Sequence, residues 1–248
     1  LLSILRIDEE HGFYVDFYRS DNAVSNDYLY HNIGDSVILY TRDGNVLRQD
    51  EVLSYPCVGE DHPGLRYFRS VRTTGLNEST VVALFSARLL NTGISYMKMW
   101  MPASSDVSYF TALAPGAKTA SSPYQSKPSL VVTMRKEKPA VEEPFVAVYE
   151  PISDKLSAGL IESVDRIKLD PRGKEGCAIK VKTKEGDSFT LVNILKDGPV
   201  ILNNQKCCAD FAIFAKRKGK SILYVGNGSF VENKEFRIES ENRGSFYI

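Results

Sequence analysis

Residues 12–19, with the sequence GFYVDFYR, set a rhythm that is repeated along most of the chain. Phe13, Val15 and Phe17 alternate with more polar neighbours, so an extended backbone would place the apolar side chains on one face. A period of two is typical of a half-buried β-strand. This stretch therefore predicts a strand with one face against a core.

Segments with the same alternation follow one another to the C-terminal end. Short strands at regular spacing favour an antiparallel sandwich over an α/β fold. The remaining predicted strands are residues 27–31, 36–41, 65–73, 80–89, 94–101, 107–112, 130–135, 145–150, 162–169, 177–183, 188–195, 209–215 and 221–225.

Turn residues separate these segments. Asp43-Gly44 and the run 184–187 (KEGD) contain the glycine that tight hairpins favour, and the basic run 216–220 ends in Gly-Lys. Asn227-Gly228 predicts a further turn that leads toward Phe230. Residues 154–158 are the main candidate for a short helical turn.

We expect an all-β chain built as an antiparallel β-sandwich of supersandwich-like type, with a smaller C-terminal β-sheet portion. The predicted domains are residues 1–152 for the large sandwich and 153–248 for the smaller β-rich portion. A soft boundary falls within 151–159, where the turns beyond become more charged. Residues 116–129, rich in Ala, Ser, Pro and Lys, predict a long exposed loop.

Composition argues against several function classes. The 31 Lys and Arg residues balance 31 Asp and Glu residues, so the chain has no net field that would attract nucleic acid. It lacks an apolar run long enough for a membrane span. Because the sequence starts at Leu1 and enters a strand pattern almost at once, we expect a piece of a longer polypeptide.

Motifs that mark a complete catalytic centre are missing from the sequence. It has neither a nucleophile elbow, a Walker loop, a dinucleotide-binding glycine motif nor a zincin helix motif. The four cysteines (Cys57, Cys177, Cys207 and Cys208) form no C-x-x-C pair, so we expect no metal and no cofactor. Adjacent Cys207 and Cys208 should point to opposite faces of a strand, one buried and one outward; a disulfide to Cys177 is the alternative in an oxidising compartment.

Residues 26–32 (NDYLYHN) form the richest polar cluster. Alternation puts Tyr28 and Tyr30 on one face, and Asp27 and His31 on the other. Tyrosine and histidine side chains can exchange protons with a sugar, which makes Tyr28 and His31 candidate substrate-binding residues. The alternative is that His31 is a hydrogen-bonded sheet residue and that the tyrosine rings cap the core.

The strand ISYMKMWMP, residues 94–102, is rich in aromatic and thioether side chains. An exposed Trp100 or Tyr96 ring can stack on a sugar, so Trp100 is the third candidate for substrate binding; the alternative is that this strand lies in the core. The basic tip Lys216-Arg217-Lys218 is either a solvated hairpin end or a contact for an acidic polysaccharide. None of these residues is predicted to be catalytic.

Several stretches resemble the heparinase II/III-like polysaccharide lyases. FYVDFYRSDNAVSNDYLYHNIGD, residues 13–35, is similar to a region of that family in which a YVVDVFRV strand precedes a HDYxxH strand. MKMWMP, ALAPG, LVVTMRKEK and PFVAVYEP follow in the same order as the family's later strands, PFVAVYEP being the most specific of them. The matching residues in the first stretch are Val15, Asp16, Tyr18, Arg19, Asp27, Tyr28 and His31.

The resemblance implies an enzyme that cleaves acidic polysaccharides by β-elimination, in the periplasm or after secretion. It implies an N-terminal helical toroid joined to a C-terminal β-sandwich, of which this chain is the sandwich. The family's sandwich-borne catalytic residues and zinc ligands fall before Leu1, so no catalytic residue and no metal ligand is carried over. The partners implied are an acidic polysaccharide and the missing toroid, without nucleic acid or a membrane span.

We therefore expect the C-terminal β-sandwich part of a lyase acting on uronic acid glycans, itself non-catalytic and supporting one wall of the cleft. The alternative is a free-standing carbohydrate-binding or adhesion-type β-sandwich. A helical domain encoded upstream distinguishes the two.

Overall fold

The computed structural model describes residues 1–56, 64–89, 93–104, 106–116, 128–153, 159–170, 176–195 and 198–248. These residues fold almost entirely into antiparallel β-strands, which confirms the predicted all-β sandwich class. Cys57, His62, the predicted helical turn at 154–158 and most of the predicted loop 116–129 lie outside the described residues.

The chain divides into two compact units. Unit 1 comprises Leu1–Ala140 and Phe145–Gly159, and unit 2 comprises Val141–Pro144 and Leu160–Ile248. Val141–Pro144 thus belongs to unit 2, although it lies between two segments of unit 1 in the sequence.

Unit 1 is a sandwich of two sheets. Sheet A has six strands in the order β1-β2-β11-β8-β7-β4, and sheet B has five in the order β3-β10-β9-β6-β5. The strands are β1 (Leu2–Arg6), β2 (Gly12–Tyr18), β3 (Asn26–Asn32), β4 (Ser36–Thr41), β5 (Asp50–Glu51), β6 (Arg69–Leu76), β7 (Val81–Leu89), β8 (Gly93–Met101), β9 (Ser108–Ala114), β10 (Ser129–Lys136) and β11 (Phe145–Ile152).

The inner faces of sheets A and B share one apolar core. Phe85, Met99 and Tyr149 from sheet A and Tyr109 and Val132 from sheet B belong to the same buried cluster. Alternate residues of each strand supply it, as a period of two requires. In β2 the inner face carries Asp16 and Tyr18, which pair with Ala147 and Phe145 of this cluster. Phe13, Val15 and Phe17 lie on the opposite face of sheet A, where they are also buried, each at most 1% exposed.

The outer face of sheet B carries a second apolar cluster. Val71, Phe110 and Val131 pack there with Tyr55, which belongs to the segment between β5 and β6. That segment contains a short 3-10 helix at Leu65–Tyr67, and β6 starts only at Arg69. The prediction of one strand over residues 65–73 was therefore wrong in its first half, because apolar residues in a covering segment imitate a strand pattern.

Unit 2 is built on one seven-stranded sheet in the order β12-β13-β14-β16-β17-β18, with β15 paired to β16. The predicted hairpin at 184–187 is confirmed, with Gly186 at φ +87°. The strands are β12 (Ile161–Ile167), β13 (Gly176–Thr183), β14 (Ser188–Ile194), β15 (Val200–Leu202), β16 (Gln205–Arg217), β17 (Lys220–Glu232) and β18 (Arg237–Tyr247).

Asn227-Gly228 does not end a strand, so the predicted turn there was wrong. Both residues lie inside β17, next to register shifts against β16 and β18. Asn227 has a φ of +51°, which an Asn adopts more readily than most residues. The pair therefore forms a β-bulge, and bulges bend the strand that carries them.

The bend in β17 is large. If β17 ran straight, Ser221 and Asn233 would lie about 40 Å apart at the usual rise of a strand. Instead, Oγ of Ser221 donates a hydrogen bond of 2.5 Å to Oε2 of Glu235, just after the strand ends. The sheet thus folds back on itself, and its concave face encloses one apolar cluster.

β16 contributes to this cluster on both sides of its register shift against β17. Cys207 contributes before the shift, and Ala209, Ala212 and Phe214 contribute after it. Cys207 is fully buried and Cys208 is partly exposed, which confirms the predicted split of this pair. Cys177, Cys207 and Cys208 are free thiols in the structure, so the alternative of a disulfide to Cys177 is not realised.

Candidate functional site

A cleft of about 460 Å³ opens at one end of the unit 1 sandwich. The ends of β7, β8 and β11 in sheet A form one side, and the end of β3 in sheet B forms the other. Its size falls within the range of about 300–1,000 Å³ that is usual for small-molecule sites. The lining residues are Glu10, Asn32, Ile33, Phe85, Ser86, Ala87, Ser95, Tyr96, Met97, Pro151, Ile152 and Ser153.

Gly34 fixes the shape of this cleft. A Cβ atom at this position would lie 2.6 Å from the carbonyl oxygen of Ser86, so only glycine lets the chain pass so close to β7. The Oδ1 atom of Asn32 accepts a hydrogen bond of 2.7 Å from the Gly34 N–H. The side chain of Asn32 is therefore held by the same turn that closes the cleft.

The lining combines apolar surface with hydroxyl and amide groups. Phe85, Met97 and Ile152 supply the apolar part, while Asn32 and Tyr96 supply polar groups. Side chains of this kind donate to and accept from hydroxyl groups, and aromatic rings pack on apolar faces. Such a surface suits a sugar ring, which presents hydroxyls at its edge and C–H groups on its face.

A buried chain of tyrosines lies behind the cleft. The hydroxyl of Tyr28 donates to Oδ2 of Asp16 at 2.8 Å and lies 2.6 Å from the hydroxyl of Tyr149. The ring of Tyr30 packs against Tyr149, with centroids 4.7 Å apart, and its hydroxyl accepts a hydrogen bond of 3.3 Å from Asn32. Tyr28 and Tyr149 therefore support the cleft from within the core.

Burial determines the protonation of these tyrosines. It raises the pKa of Tyr28 and of Tyr149 far above the usual tyrosine value, and the nearby Asp16 carboxylate raises both further. Both groups thus keep their protons at neutral pH. They can donate hydrogen bonds, but in this chain neither is poised to take a proton from a substrate.

His31 lies on the opposite face of β3 from the cleft. Its ring is exposed, and its centroid is 6.3 Å from that of Phe68. Arg66 stacks over Tyr67, which is 56% exposed, in the same covering segment. The assignment of His31 to substrate binding stays a prediction, and it concerns a different surface from the cleft.

Trp100 is only 5% exposed, and its indole N–H lies 3.4 Å from Oε2 of the buried Glu150. Its neighbour Met99 points into the sandwich core, so Trp100 points to the other face of sheet A. The ring therefore offers no open platform for a sugar in this chain. The structure does not bring Tyr28, His31 and Trp100 together.

Sequence reasoning missed most of the cleft. Tyr149 sits in PFVAVYEP, and Tyr96 sits in the aromatic strand beside Trp100, so both had a local signal. Asn32, Ser86 and Pro151 are far apart in the chain and meet only through the pairing of sheet A and the turn at Gly34. The periodicity of a single strand cannot predict contacts between residues so far apart in the chain.

Across the described ranges, no group of three His, Cys, Asp or Glu side chains is close enough to hold a metal ion. In the same part of the chain, no helix has the length and hydropathy needed to cross a membrane.

Comparison with known proteins relates the chain to a polysaccharide-degrading enzyme. No protein-family model matches the chain. The chain is similar to an endo-acting ulvan lyase of Formosa agariphila, with 32% identity over 260 aligned residues. The alignment covers 99% of this chain but 31% of the lyase, so the chain spans about a third of the length of the curated relative it matches. This chain is therefore a homologue of one segment of a polysaccharide lyase.

Proposed function

We propose that this chain is the C-terminal β-sandwich part of a heparinase II/III-like polysaccharide lyase that cleaves acidic, uronic acid glycans by β-elimination. It is itself non-catalytic, and the unit 1 cleft forms one wall of the glycan-binding groove. Similarity to an ulvan lyase over 99% of the chain is the observation that carries this proposal. A periplasmic or secreted location follows from the same proposal.

The chemistry of the cleft supports a binding role. β-Elimination requires a base, a proton donor to the leaving oxygen and a group that neutralises the substrate carboxylate. The described residues that line the cleft include hydroxyls, an amide and one carboxylate, but no Lys or Arg. Neutralising the substrate carboxylate therefore falls to a facing surface, which we assign to a helical toroid of the same polypeptide.

Within this proposal, Tyr96 and Asn32 contact one sugar unit, and Tyr28 and Tyr149 are positioning residues. The tyrosine pair holds the ring of Tyr30, and Tyr30 in turn holds Asn32 by its hydroxyl. A sugar at the cleft would displace little ordered structure, because these contacts exist without it. The cleft is thus preorganised, which lowers the entropic cost of binding.

The first test compares this 248-residue chain with the complete gene product. The assay is the ultraviolet absorbance of the unsaturated uronate product on ulvan and other acidic polysaccharides. We expect the complete product to release unsaturated ends and the chain alone to release none. Lyase activity in the chain alone would refute its non-catalytic role, and an inactive complete product would favour a carbohydrate-binding protein.

A second test probes the cleft in the complete product. Tyr96→Ala removes the partly exposed ring and should raise KM about tenfold with a smaller change in kcat, since one lost ring contact is worth about 1–2 kcal/mol. Tyr67→Ala is the matched control, because Tyr67 is an exposed tyrosine of unit 1 that does not line the cleft. Equal KM values for the two variants would rule out the cleft as a substrate contact.

A further inference from the structure

The bend in unit 2 creates a second cleft, of about 240 Å³. The β15–β16 turn and the β17–β18 turn meet over the concave face of the sheet, and the hydrogen bond from Ser221 to Glu235 ties one side of the mouth. The lining residues are Ile167, Lys180, Thr190, Asn203, Asn204, Gln205, Ser221, Asn233, Lys234 and Glu235. Nine of the ten are polar, in contrast to the cleft of unit 1.

The turns that carry these groups are fixed by their own backbone chemistry. Oδ1 of Asn233 accepts hydrogen bonds of 2.8 Å from the N–H groups of both Glu235 and Phe236. Asn203 has a φ of +52°, a conformation that suits an asparagine in a tight two-residue turn. The cleft therefore has a defined mouth, which a flexible surface loop would not give.

Several lining groups have no partner within the described part of the chain. The ammonium groups of Lys180 and Lys234 and the side-chain amides of Asn204 and Gln205 take part in no hydrogen bond or ion pair there. None of these groups is among the described side-chain atoms that are buried without a partner, so each is open to the cleft. Their donors and acceptors are therefore available to a ligand.

We propose that this cleft binds a single acidic sugar unit. Each side-chain amide offers both donors and an acceptor, which matches adjacent hydroxyls of a pyranose. Lys180, half-buried on β13, and Lys234, on the β17–β18 turn, supply the positive charges that would pair with its carboxylate. Glu235 also lines the cleft and accepts the hydrogen bond from Ser221, and the two lysine charges exceed its single negative charge.

The size of the cleft sets the size of the ligand. Its volume lies below the range of about 300–1,000 Å³ that is usual for drug-sized ligands. One sugar ring fits such a space, whereas several consecutive sugars do not. Unit 2 would therefore hold one residue or one end of an acidic glycan, without any part in bond cleavage.

The test is an NMR titration of the isotope-labelled 248-residue chain with glucuronic acid, glucose and acetate. We expect glucuronic acid to shift the amide signals of Asn204, Gln205 and Asn233. Binding of glucose or acetate should be at least about tenfold weaker, because each lacks one of the two recognised features. A charge-assisted hydrogen bond is worth about 1.5–3 kcal/mol, which corresponds to that ratio.

The double variant Lys180→Gln with Lys234→Gln should lose the preference for glucuronic acid over glucose. Lys168→Gln is the matched control, because Lys168 is an exposed lysine of unit 2 outside the cleft. Equal binding of acetate and glucuronic acid would reduce the cleft to a simple anion site and overturn the proposal. So would a double variant that binds as the unchanged chain does, provided that its thermal unfolding is the same.

This inference does not depend on the proposed lyase function. The titration measures binding at unit 2 and requires no catalysis, whereas the lyase assay concerns the complete gene product. Each proposal can therefore fail while the other stands.

Discussion

The two units of this chain bury β-sheet surface in different ways. In unit 1 two sheets pack face to face, so the core lies between strands that are distant in sequence. Unit 2 encloses its core with one sheet that is bent where β17 shifts register against β16 and β18. The core of unit 1 therefore depends on apolar side chains on the inner face of many strands. The core of unit 2 depends on the backbone conformation of a few residues at the bend.

This difference also explains the character of the two clefts. In unit 1, the cleft lies where strands end, so core residues such as Phe85 and Met97 reach its wall. In unit 2, the cleft lies beside two turns, and Asn203, Asn204 and Asn233 from those turns line it. Asparagine is favoured in turns because its side chain bonds nearby backbone groups and it tolerates a positive φ. The position of each cleft, at the ends of core strands or beside turns, thus explains why the unit 1 cleft has apolar walls and the unit 2 cleft is polar.

The largest expected effect concerns the buried ion pair that holds the segment between β5 and β6 against sheet B. Arg135, 3% exposed, donates to Asp27 at 2.9 Å, and Asp27 also accepts a hydrogen bond of 2.7 Å from Tyr55. Arg135→Met would leave the Asp27 carboxylate buried without its cation, which costs about 3–5 kcal/mol. Urea unfolding followed by the fluorescence of Trp100, the single tryptophan, measures this loss in unit 1.

Two further variants separate burial from charge. Arg72→Met breaks an exposed pair with Glu51 and should cost less than about 1 kcal/mol. Combining Asp27→Asn with Arg135→Met should recover much of the stability, because replacing both members of a buried pair is often close to neutral. If Arg135→Met cost no more than Arg72→Met, the buried network would have no role in holding the segment.

The next effect tests the bend in unit 2. A Cβ atom at Gly228 would lie 2.6 Å from the backbone oxygen of Cys208 and would also press on Ala209. Gly228→Ala should therefore destabilise unit 2 by about 1–3 kcal/mol, as overpacking usually does. Hydrogen exchange measured on peptides from each unit should show faster exchange in β16 to β18 and unchanged protection in unit 1.

Gly244 provides a matched control for that change. It is the residue paired with Gly228 on β18, and a Cβ atom there would meet nothing within 4 Å. Gly244→Ala should leave exchange in unit 2 almost unchanged. Similar losses for the two variants would mean that a general intolerance of alanine in these strands, and not the bend, explains the result.

The fold of both units was largely predictable, and the bend was not. The hairpin at 184–187 followed from its glycine and from the alternation on either side, which are local signals. Asn227-Gly228 carries the same local signal, since a positive φ suits both a turn and a bulge. Only the pairing of β17 with its two neighbours distinguishes the two outcomes, and that pairing is not encoded within the dipeptide.

The candidate site was predictable only in part, for a related reason. Alternation correctly put Tyr28 on the face of β3 opposite His31, but it did not reveal which face of β8 belongs to the inner core. Trp100 therefore became a candidate, although Met99 and not Trp100 points into the sandwich. Both faces of sheet A are buried at this position, so the usual contrast between an apolar and a polar face is absent.

The smallest effect at neutral pH concerns the tyrosine pair of unit 1, and it changes with pH. Tyr149→Phe removes the hydrogen bond to Tyr28 and should cost about 1 kcal/mol at pH 7. Burial raises the pKa of Tyr149 in the folded chain above the value near 10 of an unfolded tyrosine. The stability that this group contributes is therefore complete below about pH 10 and declines as the pH rises further.

At pH 11, ionisation of an unfolded Tyr149 would favour the unfolded state by about 1.4 kcal/mol, a penalty that the Phe variant escapes. The variant should thus be less stable than the unchanged chain at pH 7 and at least equally stable at pH 11. Urea unfolding at both pH values measures the reversal, with Tyr247→Phe as the control at an 82% exposed position. If the stability difference between the variant and the unchanged chain were the same at pH 7 and pH 11, Tyr149 would not be buried as a neutral phenol. That result would also contradict its role in supporting the unit 1 cleft.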